Sequence, residues 1–247
     1  MNNKTLKSYL YQLRDDRKAV IIYYIIIIAV YAAMFISVAI SKATGGSTNG
    51  HGIPTAIFMF CACAFRENFF MLMQNGVSRK SVFIGRLLNS LTLAAGLAVL
   101  DTVLGAVFNA ISNSFDERFL FQTIFDMLYF NLDITGFLRL MLNLLMFFMM
   151  FLGFSTLGYL MSTAFNRLNK TGKTIFAAGL PVTLFVILPV IDGMVFNGEI
   201  IVKFLNFLLD ILGVNTQQPL YAVATFTIVA VVCSTLSWLL IRKARVE

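Results

Sequence analysis

The chain has 247 residues, of which 59% are hydrophobic and 13% charged, with a mean hydropathy of +0.83 and a net charge of +7. A soluble domain carries about 25% charged residues, so soluble globular, disordered and coiled-coil chains are excluded and an integral membrane protein is implied. Three Cys, two of them (Cys61 and Cys63) in one apolar run, make no disulfide framework or zinc spacing, and the lone His51 excludes a His-pair metal site within one chain.

In chain order, residues 4–18 set Leu6, Leu10, Leu13 and Arg17 on one helical side, with Lys7, Arg14, Asp15 and Lys18 around the rest. This spacing predicts an amphipathic helix over 1–18 that lies in the membrane interface. The first span covers about 19–40, uncharged and long enough for a hydrocarbon core of about 30 Å. The second, about 51–66, meets Arg66-Glu67 thirteen residues after Ile53 and has to borrow length at one end, outward through His51 or inward past the charge pair. The third, about 83–111, is interrupted only by Asp101, and the fourth, about 137–164, has Arg139 near its start. The fifth, about 174–195, carries Pro181 and Pro189, and the sixth, about 219–241, is closed by Arg242-Lys243.

Two further pieces are predicted between spans. A short helix over about 67–75 carries Phe69, Phe70, Leu72 and Met73, stops at Asn75-Gly76, and is followed by Ser78 as N-cap of the next helix. Residues about 198–215 hold an interrupted apolar pattern (Ile200, Ile201, Phe204, Leu208, Ile211, Leu212) with Lys203 and Asp210, too short to cross. A re-entrant or surface element on the outer side fits them. The expected fold is therefore all-α: one transmembrane domain over 1–247 with six spans.

Charge orients the chain. Of the nineteen Lys and Arg, all but Lys42, Arg118, Arg139 and Lys203 fall on the side of the termini, so the positive-inside rule places both termini in the cytoplasm. The opposite side carries Asp116, Glu117, Asp126, Asp133, Asp192, Glu199 and Asp210.

Enzymatic chemistry is missing. Asn169–Thr174 resembles the end of a phosphate-binding loop, but Arg167 stands where Gly is needed and a membrane helix precedes it instead of a strand. Hydrolase motifs are absent too, so no catalytic, cofactor or metal residue is expected. Asp101 is the ionisable group deep inside a span, on a stripe with Ser90, Ala94, Leu97, Gly105 and Asn109. Arg139, one turn from Asn143, is its expected counter-charge. Phe147, Met150 and Phe154 continue below them. The set Asp101, Arg139, Asn143, Phe147, Met150 and Phe154 reads either as a buried structural pair with core packing or as a soft translocation path.

The order of a basic N-terminal helix, six spans, a cytoplasmic helix ending Asn75-Gly76-Val77-Ser78-Arg79-Lys80 and an outer element before the last span resembles the permease subunit of ABC-2-type ABC transporters. Arg66–Arg86 is the most specific stretch, similar to that family's coupling helix. In size and softness the chain resembles exporters of amphipathic peptides of phenol-soluble-modulin type, and lantibiotic immunity permeases. The resemblance implies two copies in a bacterial plasma membrane, each docking a separate ATPase that binds ATP and Mg, with Glu67, Phe69, Phe70, Leu72, Met73 and Asn75 as the docking residues. The implied partners are that ATPase, a second copy, membrane lipid and an amphipathic peptide, with no nucleic acid. A non-transporting assembly factor or sensor is the alternative from another class.

Overall fold

A computed structural model describes residues 3–41, 46–62, 66–113, 119–132, 134 and 136–242. Of the charged residues used to orient the chain, Lys42, Asp116, Glu117, Arg118, Asp133, Lys243 and Arg245 lie outside these, as do the side chains of Arg66 and Lys170 and that of the expected docking residue Glu67.

Helix α1 runs unbroken from Asn3 to Ser41. The interfacial helix and first span expected as separate pieces are one rod, because no Gly or Pro stands between Leu6 and Ile40. Its N-terminal part buries a polar side, Thr5, Ser8, Gln12 and Asp16, and leaves Leu6 and Leu10 exposed. Strand β1 (Gly46–His51) then leads into α2 (Ile53–Cys61). Next come α3 (Arg66–Gln74) and α4 (Arg79–Asn113). Strand β2 (Phe119–Thr123), α5 (Ile124–Leu128) and α6 (Phe137–Arg167) follow.

Helices α1, α4, α6 and the last helix α11 (Pro219–Arg242) are long and apolar enough to cross a membrane. The protein is thus a helical membrane protein, and four of the six expected spans are single long helices. Helix α6 is the hub, packed by α2, α4 and α11, while α1 packs on α4. Small residues let these elements close up. A Cβ on Gly158 would collide with the Phe60 carbonyl of α2, and one on Gly153 would sit 3.3 Å from the Phe226 ring of α11. The core between them holds Ala56, Met59, Ala94, Leu97, Phe125 and Phe147.

The two other expected spans take different forms. Of the second, only the nine residues of α2 are helical, and the residues before them run as extended chain. Strand β1 pairs in parallel with β2, from Gly46 opposite Phe119 to His51 opposite Thr123. At about 3.3 Å per residue a strand covers twice the distance of a helix, and its backbone is acceptable beside a bundle because a partner strand and buried side chains enclose it. Gly52 makes the strand-to-helix corner at φ +105°, where a Cβ would meet the Phe147 ring at 2.7 Å.

The fifth is helical from α7 (Lys170–Thr174) through α8 (Leu180–Val182) to α9 (Leu188–Val195), joined by two wide π turns, Ile175–Gly179 and Thr183–Ile187. Each π turn ends two residues before a proline and contains the residue four positions upstream of it, Ala177 for Pro181 and Phe185 for Pro189. The carbonyl at that position is the one the ring would strike in a regular helix, and widening the turn removes the clash.

Helix α10 (Glu199–Ile211) buries no side chain. It begins after a left-handed turn at Asn197 and Gly198, and the buried Asp192 carboxylate accepts from Ile200 N at 2.9 Å and Ile201 N at 3.0 Å. On this chain alone it is a surface helix, not one shielded inside the bundle. The two chain ends meet at one end of the molecule: Lys4 Nζ donates to Gly76 O at 3.0 Å, and Arg79 donates to Arg242 O at 2.8 Å.

Candidate functional site: a short helix at the basic end and a buried carboxylate

At the basic end, α3 closes as the sequence predicts. Val77 N bonds Leu72 O at 3.1 Å and Gly76 N bonds Met73 O at 3.0 Å, with Gly76 at φ +71°. This is a Schellman stop, with its apolar contact between Leu72 and Val77 in one buried cluster. Ser78 then caps α4, its Oγ accepting from Ser81 N at 3.2 Å. What differs is the direction α3 faces. Phe69 is 1% exposed and Leu72 5%, buried against Val82, Tyr159 and Ile241, so these two of the expected docking residues are turned into the bundle. Phe70 and Met73 are half-buried and Asn75 exposed, so the outward face is Phe70, Gln74 and Asn75. An apolar helix beside a bundle floor buries its larger side first, and five apolar residues in a row (Phe69–Met73) left both directions open to a sequence reading.

Beneath α3 lies a buried polar clamp that sequence reasoning missed. Arg86 on α4 donates to Asp16 Oδ2 on α1 at 2.9 Å, and Asn89 donates to the same oxygen at 2.6 Å. A second Arg86 nitrogen reaches Ala62 O at 3.4 Å, and its guanidinium lies 5.9 Å from the Tyr159 ring centroid on α6. Gln12 donates to Ser8 Oγ at 3.1 Å, and Thr5 to Ser81 Oγ at 3.2 Å. One arginine therefore ties α1, the end of α2, α4 and α6 together at the level of α3. A usable signal was present: Thr5, Ser8, Gln12 and Asp16 form a polar stripe at helical spacing, opposite the leucines that drew attention.

Deeper in the bundle, Asp101 is fully buried but does not meet Arg139. Its Oδ1 accepts from Tyr24 at 2.8 Å, with Thr55 beside it. Thr55 shares a 2.7 Å hydrogen bond with Tyr23. His51, 2% exposed, bonds the Asp101 backbone carbonyl through Nε2 at 3.0 Å. A carbonyl only accepts, so Nε2 carries the hydrogen, and in the neutral ring Nδ1 accepts from Tyr31 at 3.0 Å. Aromatic hydroxyls of α1 and the histidine at the end of β1 thus enclose the carboxylate. No Lys or Arg pairs with it among the described residues.

Arg139 instead grips Asp126 with two nitrogens, at 3.0 and 2.6 Å. Both belong to a polar recess of about 250 Å³ at the opposite end, with Asn109 and Asn143. The Asn143 Oδ1 in it is buried and has no hydrogen-bond partner among the described residues. The expected Asp101–Arg139 pair fails because α5, absent from the sequence reading, brings an acid to Arg139 first. Phe147 and Met150 are buried core, and Phe147 stacks on Phe151 at 5.5 Å, while Phe154 is half-buried against Phe226. Tyr129, near the same end as Arg139, donates to Leu212 O at 2.6 Å, and burial pushes its hydroxyl up to about 12. Among the described residues no three His, Cys, Asp or Glu side chains gather as metal ligands would.

No known family, characterised protein or solved structure matches this chain.

Proposed function

We propose that this chain is the membrane subunit of an ABC-2-type exporter, two copies of which work with two separate cytoplasmic ATPases to move amphipathic peptides or other hydrophobic substrates outward. On this reading α2 and the helical path 170–195 complete six crossings, both termini are cytoplasmic, and the chain itself is not an enzyme. The observation that carries it is α3: a short, tightly stopped helix at the basic end, wedged by Phe69 and Leu72 against α4, α6 and α11. A push on its outer face would be passed to those helices and, through Arg86, to α1.

The test is purification of the tagged chain from its host membrane. A nucleotide-binding subunit should come with it, and the ATPase activity of the complex should rise with amphipathic peptide. Phe70→Asp with Asn75→Arg should release that subunit and leave the chain folded, whereas Leu72 is core and unsuited to the purpose. Retention of the subunit by the double variant would remove α3 from the interface. A chain that never binds a nucleotide-binding subunit would be an assembly or sensor protein instead.

A further inference from the structure

Helices α4 and α11 both lie on α6 but touch each other only sparsely. The gap between them is a groove of about 680 Å³, lined by Phe83, Ile84, Leu87 and Leu91 from α4, Leu152 from α6, and Trp238 from α11. Lys80 stands at its mouth, at the basic end of the molecule. We propose that the groove holds an acyl chain of an anionic phospholipid from the leaflet on that side, with the phosphate at Lys80.

Four observations favour this occupant. The first is length. From Lys80 to Leu91 the groove runs eleven residues along α4, about 16 Å at 1.5 Å per residue, against about 15 Å for one leaflet of a 30 Å hydrocarbon core. The second is its lining. The hydroxyls of Thr156 and Thr235 donate to carbonyls of their own helices, Gly153 and Val231, at 2.9 and 2.8 Å. Those two hydroxyls ask for no further partner, which suits a hydrocarbon chain and not an amphipathic peptide with a second, polar face.

The third observation is the mouth. Trp238, packed 5.2 Å from Phe83, lines the groove with Lys80, and Trp is a side chain that settles at a membrane–water boundary. The fourth is charge. Lys80 is exposed and forms no ion pair among the described residues, and none of the lining residues is acidic. Arg79 and Arg242 stand at the same end. The groove itself offers Lys80 no acid, so an apolar surface seated there would bury the charge unpaired. A lipid phosphate meets it directly.

Trp238 is the chain's one tryptophan, so its fluorescence reports on this groove alone. The full chain is reconstituted in phosphatidylcholine vesicles, and dibrominated phosphatidylglycerol or dibrominated phosphatidylcholine is added. The anionic quencher should half-quench Trp238 at about fivefold lower mole fraction. Lys80→Gln should erase that difference without changing the zwitterionic curve. Ser234→Phe, which fills the groove, should weaken quenching by both lipids. Equal quenching of the unaltered chain by both headgroups would overturn the proposal in favour of ordinary boundary lipid. No quenching by either would mean that protein covers the groove. Relief of quenching by an amphipathic peptide added at the same mole fraction would make it a peptide site.

Discussion

Helix α4 and the stretch Ile175–Val195 look alike as sequence: both are apolar, uncharged over long runs and sized to cross a membrane. In the fold they are opposites. Helix α4 buries fourteen residues, and nine of them are polar or glycine, including Arg86, Asn89, Ser90, Asp101 and Thr102. Of the described residues in 175–195, only Asp192 is buried, and the stretch packs chiefly on itself and α10. In lipid there is no hydrophobic drive to bring two apolar faces together. What selects an inward face is the cost of leaving polar groups in hydrocarbon, together with the close approach that small residues allow. Helix α4 has such a stripe and is held chiefly by α1, α6 and β2; the stretch 175–195 lacks one and stands nearly free.

If that contrast is right, the largest losses come from cutting the polar ties of α4. Asp16→Asn leaves a buried Arg86 without its carboxylate and should cost about 3–5 kcal/mol, the range for breaking a buried pair. The check is thermal unfolding in detergent, followed by the loss of monodisperse protein. Replacing both partners, Asp16→Leu with Arg86→Met, should recover most of the loss. A single variant as stable as the parent would show that the clamp holds nothing. Next in size is Gly158→Val, which pushes a side chain into the Phe60 carbonyl. Overpacking of this kind costs about 1–3 kcal/mol, and the same melting experiment reads it.

The Asp101 and Arg139 sites should behave as strangers. Asp101→Asn keeps an acceptor for Tyr24, and Arg139→Gln breaks a pair that is about one-third exposed, worth about 0.2–1 kcal/mol. Melting of the double variant should equal the sum of the singles to within about 0.5 kcal/mol. Recovery of stability in the double variant would instead couple the two residues. The smallest effect is expected on the free stretch. Val190→Ala should shift melting by less than about 0.5 kcal/mol, and a larger loss would mean that this stretch already has a partner in the purified protein.

Much of this architecture was legible from residue chemistry. Long uncharged runs marked α1, α4, α6 and α11. Asn75-Gly76 and Ser78 marked the end of one helix and the start of the next, because each solves a local backbone problem on its own. The prolines at 181 and 189 were visible in the fifth run, but not that π turns would absorb them. What could not be read were pairings between distant segments. Phe119–Thr123 has strand-forming residues, but nothing local says that its partner is Gly46–His51. Without that pairing, His51 could not be put beside Asp101, nor Asp126 beside Arg139. The direction of α3 was hidden for the same reason: Phe69 and Phe70 are chemically equal, and only Tyr159 and Ile241 decide which is buried.

The parallel pairing of β1 with β2 also sets an order on the making of the protein. Strand β1 leaves the ribosome roughly 70 residues before its partner, a delay of several seconds at about 5–20 residues per second. Helix α2 waits longer still, since its seat on α6 includes Gly158. During that interval the nine residues of α2, mostly apolar and too few to insert as a span, are held between a finished α1 and a still-growing α4. The newborn chain therefore passes through a stage with His51–Cys61 unplaced, and that stage is the point at which an insertion chaperone would have a segment to hold.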